Sequence, residues 1–172
     1  TPRSAVGEHQ FGAGRAAGGE TLVHTVQAVA AKHPERAWVQ LDLANAFPSV
    51  CRRAALDALA EHAPALVPLA EAFLRRPSSF VFIGASGQGE VLQATKGGDQ
   101  GDVLGPLLFA AAFRGPLAEF RERLLSCLEE SGYSREQAEA ELVLGAYLDD
   151  VLVCLPAAVA ARVPGLAAAC FS

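Results

Sequence analysis

Apolar and polar positions change period along the chain, and the changes mark its elements. Strict alternation in Ala37-Trp38-Val39-Gln40-Leu41-Asp42-Leu43 predicts a strand, with Trp38, Gln40 and Asp42 on one face and Val39, Leu41 and Leu43 on the other. Helical spacing of Leu22, Val26, Val29 and Ala30 predicts a helix over residues 21–32. A second helix, with Ser49 in position to cap it, runs to about His62 on a stripe of Val50, Ala54, Leu56, Leu59 and Ala60, and a third covers about 65–75. Residues 80–83 and 91–94 flank a glycine-rich segment and read as a β-hairpin with a mobile tip. Pro106 suits the first turn of an apolar helix that Gly115-Pro116 should break. A charged, exposed segment follows, and then Ser134 and Gln137 form a capping box for a short helix to about Glu141. An Ala-rich helix from about Ala157 ends the chain.

Between these last two helices, Tyr147-Leu148-Asp149-Asp150 lies between the apolar runs Leu142-Val143-Leu144 and Val151-Leu152-Val153-Cys154-Leu155. It predicts a tight hairpin, since Asp tolerates turn backbone. An Asp pair at a hairpin tip is by itself an ordinary turn. The third carboxylate, Asp42, changes the picture. An acid at the end of a mostly apolar strand is costly without a partner, and three carboxylates brought together repel one another unless divalent cations hold them apart. The arrangement suggests a Mg²⁺ site.

Composition narrows the classes. The chain has 172 residues, 51% hydrophobic, which suits one domain with a real core. It contains no Met and stops within an apolar pattern, so it reads as an internal fragment. A net charge of −5 supplies no overall electrostatic footprint for a polyanion. The four cysteines, Cys51, Cys127, Cys154 and Cys170, have no zinc spacing and read as reduced, buried thiols of an intracellular protein. The longest uncharged apolar runs fall short of the roughly 20 residues of a membrane helix. The glycine-rich segment 10–19 lacks the preceding strand and the Gly-Lys-Ser/Thr of a phosphate loop, so it reads as a flexible loop carrying one useful Arg15.

Taken in order, Asp42-Leu43-Ala44-Asn45-Ala46-Phe47, then Gln100-Gly101-Asp102-Val103-Leu104-Gly105-Pro106-Leu107-Leu108-Phe109, then Tyr147-Leu148-Asp149-Asp150 resemble motifs A, B and C of reverse transcriptases. The wording is closest to non-LTR (LINE-type) retrotransposons, and segment 10–19 with its helix resembles the fingers segment that precedes motif A in that group. Asp99 and Val103 depart from the family pattern. The resemblance implies an α+β fold, a polymerase palm of antiparallel sheet backed by helices with part of the fingers, and no thumb. Residues 1–172 would form one domain fragment: about 1–36 a fingers segment, 37–172 mainly palm with a fingers-side hairpin near 80–94.

The resemblance further implies an RNA-directed DNA polymerase. Asp42, Asp149 and Asp150, with Leu43 as a further ligand position, would hold two Mg²⁺ ions, with Mn²⁺ as a substitute. Phe47 would be the steric gate against a 2′-hydroxyl, Gln100 and Gly101 would line the nascent base pair, Tyr147 would lie beside them, and Arg15 would reach the triphosphate. The implied partners are an RNA template, a DNA primer and dNTP, together with a thumb and an endonuclease supplied by the rest of a polyprotein. No membrane is involved, and the setting is intracellular, nuclear for a eukaryotic element. A decayed or domesticated copy that binds nucleic acid without catalysis is the alternative. An RNA-templated RNA polymerase would carry Asp where Phe47 stands.

Overall fold

The computed structural model describes residues 2–98 and 101–171. Helices α1 (Pro2–Val6) and α2 (Gly18–Lys32) precede strand β1 (Arg36–Asp42). Helices α3 (Ala46–Ser49), α4 (Arg52–His62) and α5 (Val67–Leu74) lead to a hairpin of β2 (Ser78–Ile83) and β3 (Gly89–Ala94). The long α6 (Gly105–Glu130) and short α7 (Arg135–Glu141) lead to a second hairpin, β4 (Val143–Tyr147) and β5 (Asp150–Pro156), and α8 (Val163–Phe171) follows a 3₁₀ turn. The fold class is α+β, with two small antiparallel sheets.

The larger sheet has the order β1-β5-β4. Its register, Val39 opposite Val153 and Leu41 opposite Val151 on one side, Leu144 opposite Val153 and Ala146 opposite Val151 on the other, gathers these apolar side chains on one face. That face packs into a core with Phe113, Leu117, Phe120, Leu124 and Leu128 of α6 and Val163 and Ala167 of α8. Phe120 and Leu128 are wholly buried, each worth about 1.5–3 kcal/mol in apolar transfer. The N-terminal half of α6 serves a second core, where Leu108 and Ala111 meet Ala5, Ala55, Leu59 and Ala70. One helix therefore ties both clusters together.

That double burial explains the main departure from the sequence reading. Helix α6 continues through Gly115-Pro116 to Glu130, although Pro removes a helical hydrogen bond and costs about 3 kcal/mol in a helix interior. The apolar stripe continues past the proline as Leu117, Phe120, Leu124, Leu125 and Leu128, all buried, and tertiary packing outweighs the local penalty. The segment expected to be exposed and charged is amphipathic instead, with its charges in ion pairs such as Arg123–Glu119.

Smaller corrections have local causes. Ser49 does not cap α4: it closes the one-turn α3, and Cys51 precedes Arg52 at the helix start without a side-chain cap. Cys51 is exposed, whereas Cys127 and Cys154 are buried, and burial pushes both of those thiols up. The Ser134–Gln137 capping box forms as expected. Arg36, at the start of β1, pairs with Glu141 at the end of α7 at 2.7 Å, with its side chain 8% exposed.

The β2–β3 hairpin stands apart from the cores, with Val81 66% and Ile83 69% exposed. Its base is held from α4. The Arg52 guanidinium donates to the carbonyls of Leu74, Arg76, Ala94 and Gly97, which fixes where the chain enters the hairpin and where it leaves.

Candidate active site

Asp42, the last residue of β1, lies directly opposite Asp150, the first residue of β5. Tyr147 is opposite Asp150 on the other side. Period-two alternation puts Gln40, Asp42, Tyr147 and Asp150 on one face of the sheet, the face turned away from the α6 core, and all four are exposed. Like charges directly opposite one another on neighbouring strands destabilise a sheet. Here Gln40 Nε2 donates to Asp150 Oδ1 at 3.4 Å, and among the described residues no Lys, Arg or His pairs with Asp42, Asp149 or Asp150. The chain keeps an uncompensated acidic pair at the mouth of a hairpin.

Asp149 sits in the turn itself, half-buried, after Leu148 at φ 56. A two-residue hairpin connection favours positive φ at its first central position, where glycine is the usual occupant. A leucine there stores roughly 1–2 kcal/mol of strain. The strain is held by Gln10, which is 1% exposed. Its Oε1 accepts from the Leu148 N–H at 2.8 Å and from the Gly12 N–H at 2.9 Å, while its Nε2 donates to the Leu148 carbonyl at 3.2 Å. One buried amide satisfies both backbone groups of the strained turn residue.

The segment bearing Gln10 is docked rather than flexible. Phe11 N–H donates to the Ala146 carbonyl at 2.7 Å, and Ala146 N–H to the His9 carbonyl at 2.8 Å, a parallel bridge along the open edge of β4. Glycine is required where it touches the hairpin: a Cβ on Gly12 would lie 2.7 Å from the Leu148 nitrogen. Arg15, read from sequence as a triphosphate contact, lies with its guanidinium 4.1 Å from the Phe11 ring centroid and donates to the Glu8 carbonyl at 3.4 Å. It stiffens the clamp segment. Gln10 was missed because its signal, one amide ahead of a glycine-rich loop, is indistinguishable from loop polarity until the hairpin is seen beside it.

Phe47 follows the Asp42 strand on α3. Its half-buried ring stacks on Phe109 of α6, centroids 5.0 Å apart and 27° between planes. The loop after β3 docks against the same segment, with Gly97 N–H donating to the Val50 carbonyl at 2.8 Å and Gly98 N–H to the Phe47 carbonyl at 3.2 Å. Gly97 has φ 66, and a Cβ there would sit 2.4 Å from the Pro48 oxygen. The first motif is thereby tied through backbone to the segment just ahead of the second, and through the Phe47–Phe109 stack to the second itself. Gln100 and Asp99 lie outside the described residues. Gly101 has φ 94 with open space around it, so conformation rather than crowding calls for glycine there. Asp102 accepts from the Leu104 N–H at 3.0 Å and leads the chain into α6, and Val103 beside it is 89% exposed.

The donor set of Asp42, Asp149 and Asp150, with the Leu43 carbonyl next in sequence, is all hard oxygen, unpaired by cations and open to solvent, which fits Mg²⁺ or Mn²⁺ in chemistry and charge. Among the described residues no three His, Cys, Asp or Glu side chains are gathered as a group that could hold a metal ion. No helix among them is long and apolar enough to cross a membrane. Comparison of the chain with protein-family models, curated proteins and solved structures finds no match.

Proposed function

We propose that this chain is the palm and part of the fingers of an RNA-directed DNA polymerase of the non-LTR retrotransposon kind. The observation that carries the reading is the direct opposition of Asp42 and Asp150 on an open sheet face, with Asp149 in the adjoining turn. Two carboxylates from segments more than a hundred residues apart face each other, and among the described residues no cationic side chain pairs with them. An RNA template, a DNA primer and a dNTP are the substrates this reading assigns. Asp42, Asp149 and Asp150, with the Leu43 carbonyl, would hold two Mg²⁺ ions, which when bound supply activation of the primer 3′-hydroxyl and neutralisation of the leaving pyrophosphate.

The remaining work is positioning, which dominates phosphoryl transfer. A duplex end would lie against the exposed sheet face at Asp42 and Asp150. The Gln10 clamp keeps the turn from relaxing away from β1, so the carboxylates stay within the narrow tolerance that such chemistry demands. Phe47, rigid against Phe109, presents its ring to the sugar of the incoming nucleotide and excludes a 2′-hydroxyl by overlap. Tyr147 and Gly101 flank the nascent pair, and the positive φ of Gly101 lets backbone rather than side chain face it.

The test is primer extension on an RNA template by the chain with a polymerase thumb supplied C-terminally. Phe47→Val is expected to raise the ratio of rNTP to dNTP incorporation by an order of magnitude or more, about 1.4 kcal/mol of lost discrimination, while dNTP efficiency falls much less. If Phe47 is only a core residue, the same variant loses stability at an unchanged ratio, and melting temperature measured alongside separates the two.

A further inference from the structure

A second concave site lies on α6, lined from a different set of elements than the carboxylate face. A cleft of about 680 Å³ opens between α1, the end of α4 and the middle of α6, lined among others by Arg3, Arg114 and Arg121 and by Glu8 and Glu122. Three guanidiniums against two carboxylates give it a net positive lining in a chain of net charge −5. Arg114 and Arg121 are seven residues apart on α6 and share a face, which separates their origins by roughly 10 Å along the helix. Arg3 faces the same space from α1.

Of the two carboxylates in the lining, Glu122 is engaged, whereas Glu8 stands 3.1 Å from Nε2 of His9, an imidazole that burial pushes toward its neutral form. Glu122 takes a 2.6 Å contact from Arg135 and a 3.1 Å contact from Arg121, and the hydrogen bond from Arg135 holds its carboxyl below the usual range. By contrast, among the described residues no carboxylate pairs with Arg3 or Arg114. The Arg114 stem lies against Gly7, where an added Cβ would meet its Cγ at 3.4 Å, and Gly7 at φ 83 brings the backbone close to it. Elsewhere the guanidiniums of Arg53, Arg123, Arg135 and Arg162 are paired with acids.

We propose that this cleft binds a ligand carrying two or more linked phosphate groups. Guanidinium is the side chain best matched to phosphate oxygens, because its planar fork donates two parallel hydrogen bonds and never loses its charge. Arg3 and Arg114 offer two guanidinium forks from different helices, while Arg121 is shared with Glu122 and Glu139, and two forks suit linked phosphates better than one isolated anion. A free oligophosphate and the backbone of a single nucleic-acid strand share this chemistry. The cleft is defined without Asp42, Asp149 or Asp150, so the inference does not rest on the polymerase reading.

The experiment titrates the full chain, without divalent cation and at about 50 mM salt where phosphate contacts are strongest, with tripolyphosphate by calorimetry and with a fluorescent single-stranded oligonucleotide by anisotropy. At least one probe binds. Binding of tripolyphosphate alone identifies a free oligophosphate as the ligand; tighter binding of the oligonucleotide, with a steep salt dependence, identifies the strand. Arg114→Gln and Arg3→Gln each weaken the bound probe about tenfold, the loss of one charge-assisted contact. Arg123→Gln removes the same charge from the same helix, but from a guanidinium bound to Glu119, and leaves affinity unchanged. Circular dichroism confirms folding, and Arg3, exposed on α1, carries the test if Arg114→Gln unfolds. No binding of either probe, equal losses in Arg114→Gln and Arg123→Gln, or binding that appears only with Mg²⁺ overturns the proposal.

Discussion

Asp149→Asn is expected to lower primer extension on an RNA template about a thousandfold, with the fold intact. The change removes a negative oxygen donor and almost no volume, and a metal ligand supplies several kcal/mol of charge stabilisation in phosphoryl transfer. The side chain sits in a turn whose backbone is fixed by Gln10 through Leu148, so the substitution has nothing structural to disturb. Melting temperature should stay level or rise slightly, because one charge is removed from an acidic cluster that no basic side chain offsets. Full extension activity in this variant would remove Asp149 from the chemistry. A collapse of stability would show that the turn depends on the carboxylate itself.

Gln10→Ala is expected to cost about 2–4 kcal/mol of stability. It leaves the N–H and the carbonyl of Leu148 without their amide partner, and each buried orphan costs about 1–3 kcal/mol. It also releases the positive φ of Leu148, so the hairpin tip should relax and carry Asp149 with it. Hydrogen exchange at Leu148 and Gly12, which donate to Gln10 Oε1, reads the loss locally. Gln10→Glu keeps the acceptor but faces the Leu148 carbonyl with a carboxylate. Burial raises that carboxyl in the folded state, so the stability it contributes is present at low pH and lost as pH rises through the raised value. Relative to Gln10→Ala, the Glu variant therefore recovers as pH falls.

The difference between Asp149 and Gln10 shows what could be read without coordinates. Alternation through Trp38, Gln40 and Asp42 identified β1 and its faces, and the apolar runs around Leu148-Asp149 identified β4 and β5, because period and turn chemistry are local. Local patterning motivated an approach of Asp42 to Asp149 and Asp150, but that Asp150 is the residue directly opposite Asp42 was not legible, since register between strands a hundred residues apart is set by packing. Gln10 was illegible for the same reason. Its importance comes from a neighbour 138 residues away, and nothing in its immediate sequence distinguishes it from Gln88 or Gln93. Arg52 is a similar case, an ordinary helix residue by pattern that holds both ends of the β2–β3 hairpin. Pro116 misled in the opposite direction. A strong local breaker was overridden by Leu117, Phe120 and Leu124, whose burial depends on the sheet that α6 covers.

The carboxylate face also explains why a metal site should assemble rather than stand closed. Asp42 and Asp150 are exposed and, as like charges directly opposite one another, repel. A divalent cation would convert that repulsion into attraction. Binding to the folded state alone then raises stability in proportion to RT ln(1 + [L]/Kd).

The measurement that bears most directly on the central claim is Mn²⁺ titration of the 172-residue chain followed by electron paramagnetic resonance of the free ion, run in parallel on Asp42→Asn and Asp150→Asn. The account predicts saturable binding by the unmodified chain, competition by Mg²⁺, and a loss of about tenfold or more in each variant, since each removes a charged ligand worth at least 1.4 kcal/mol. Binding that is absent, or that persists undiminished when both acids are replaced, would contradict it and leave the paired carboxylates as a hairpin without chemistry.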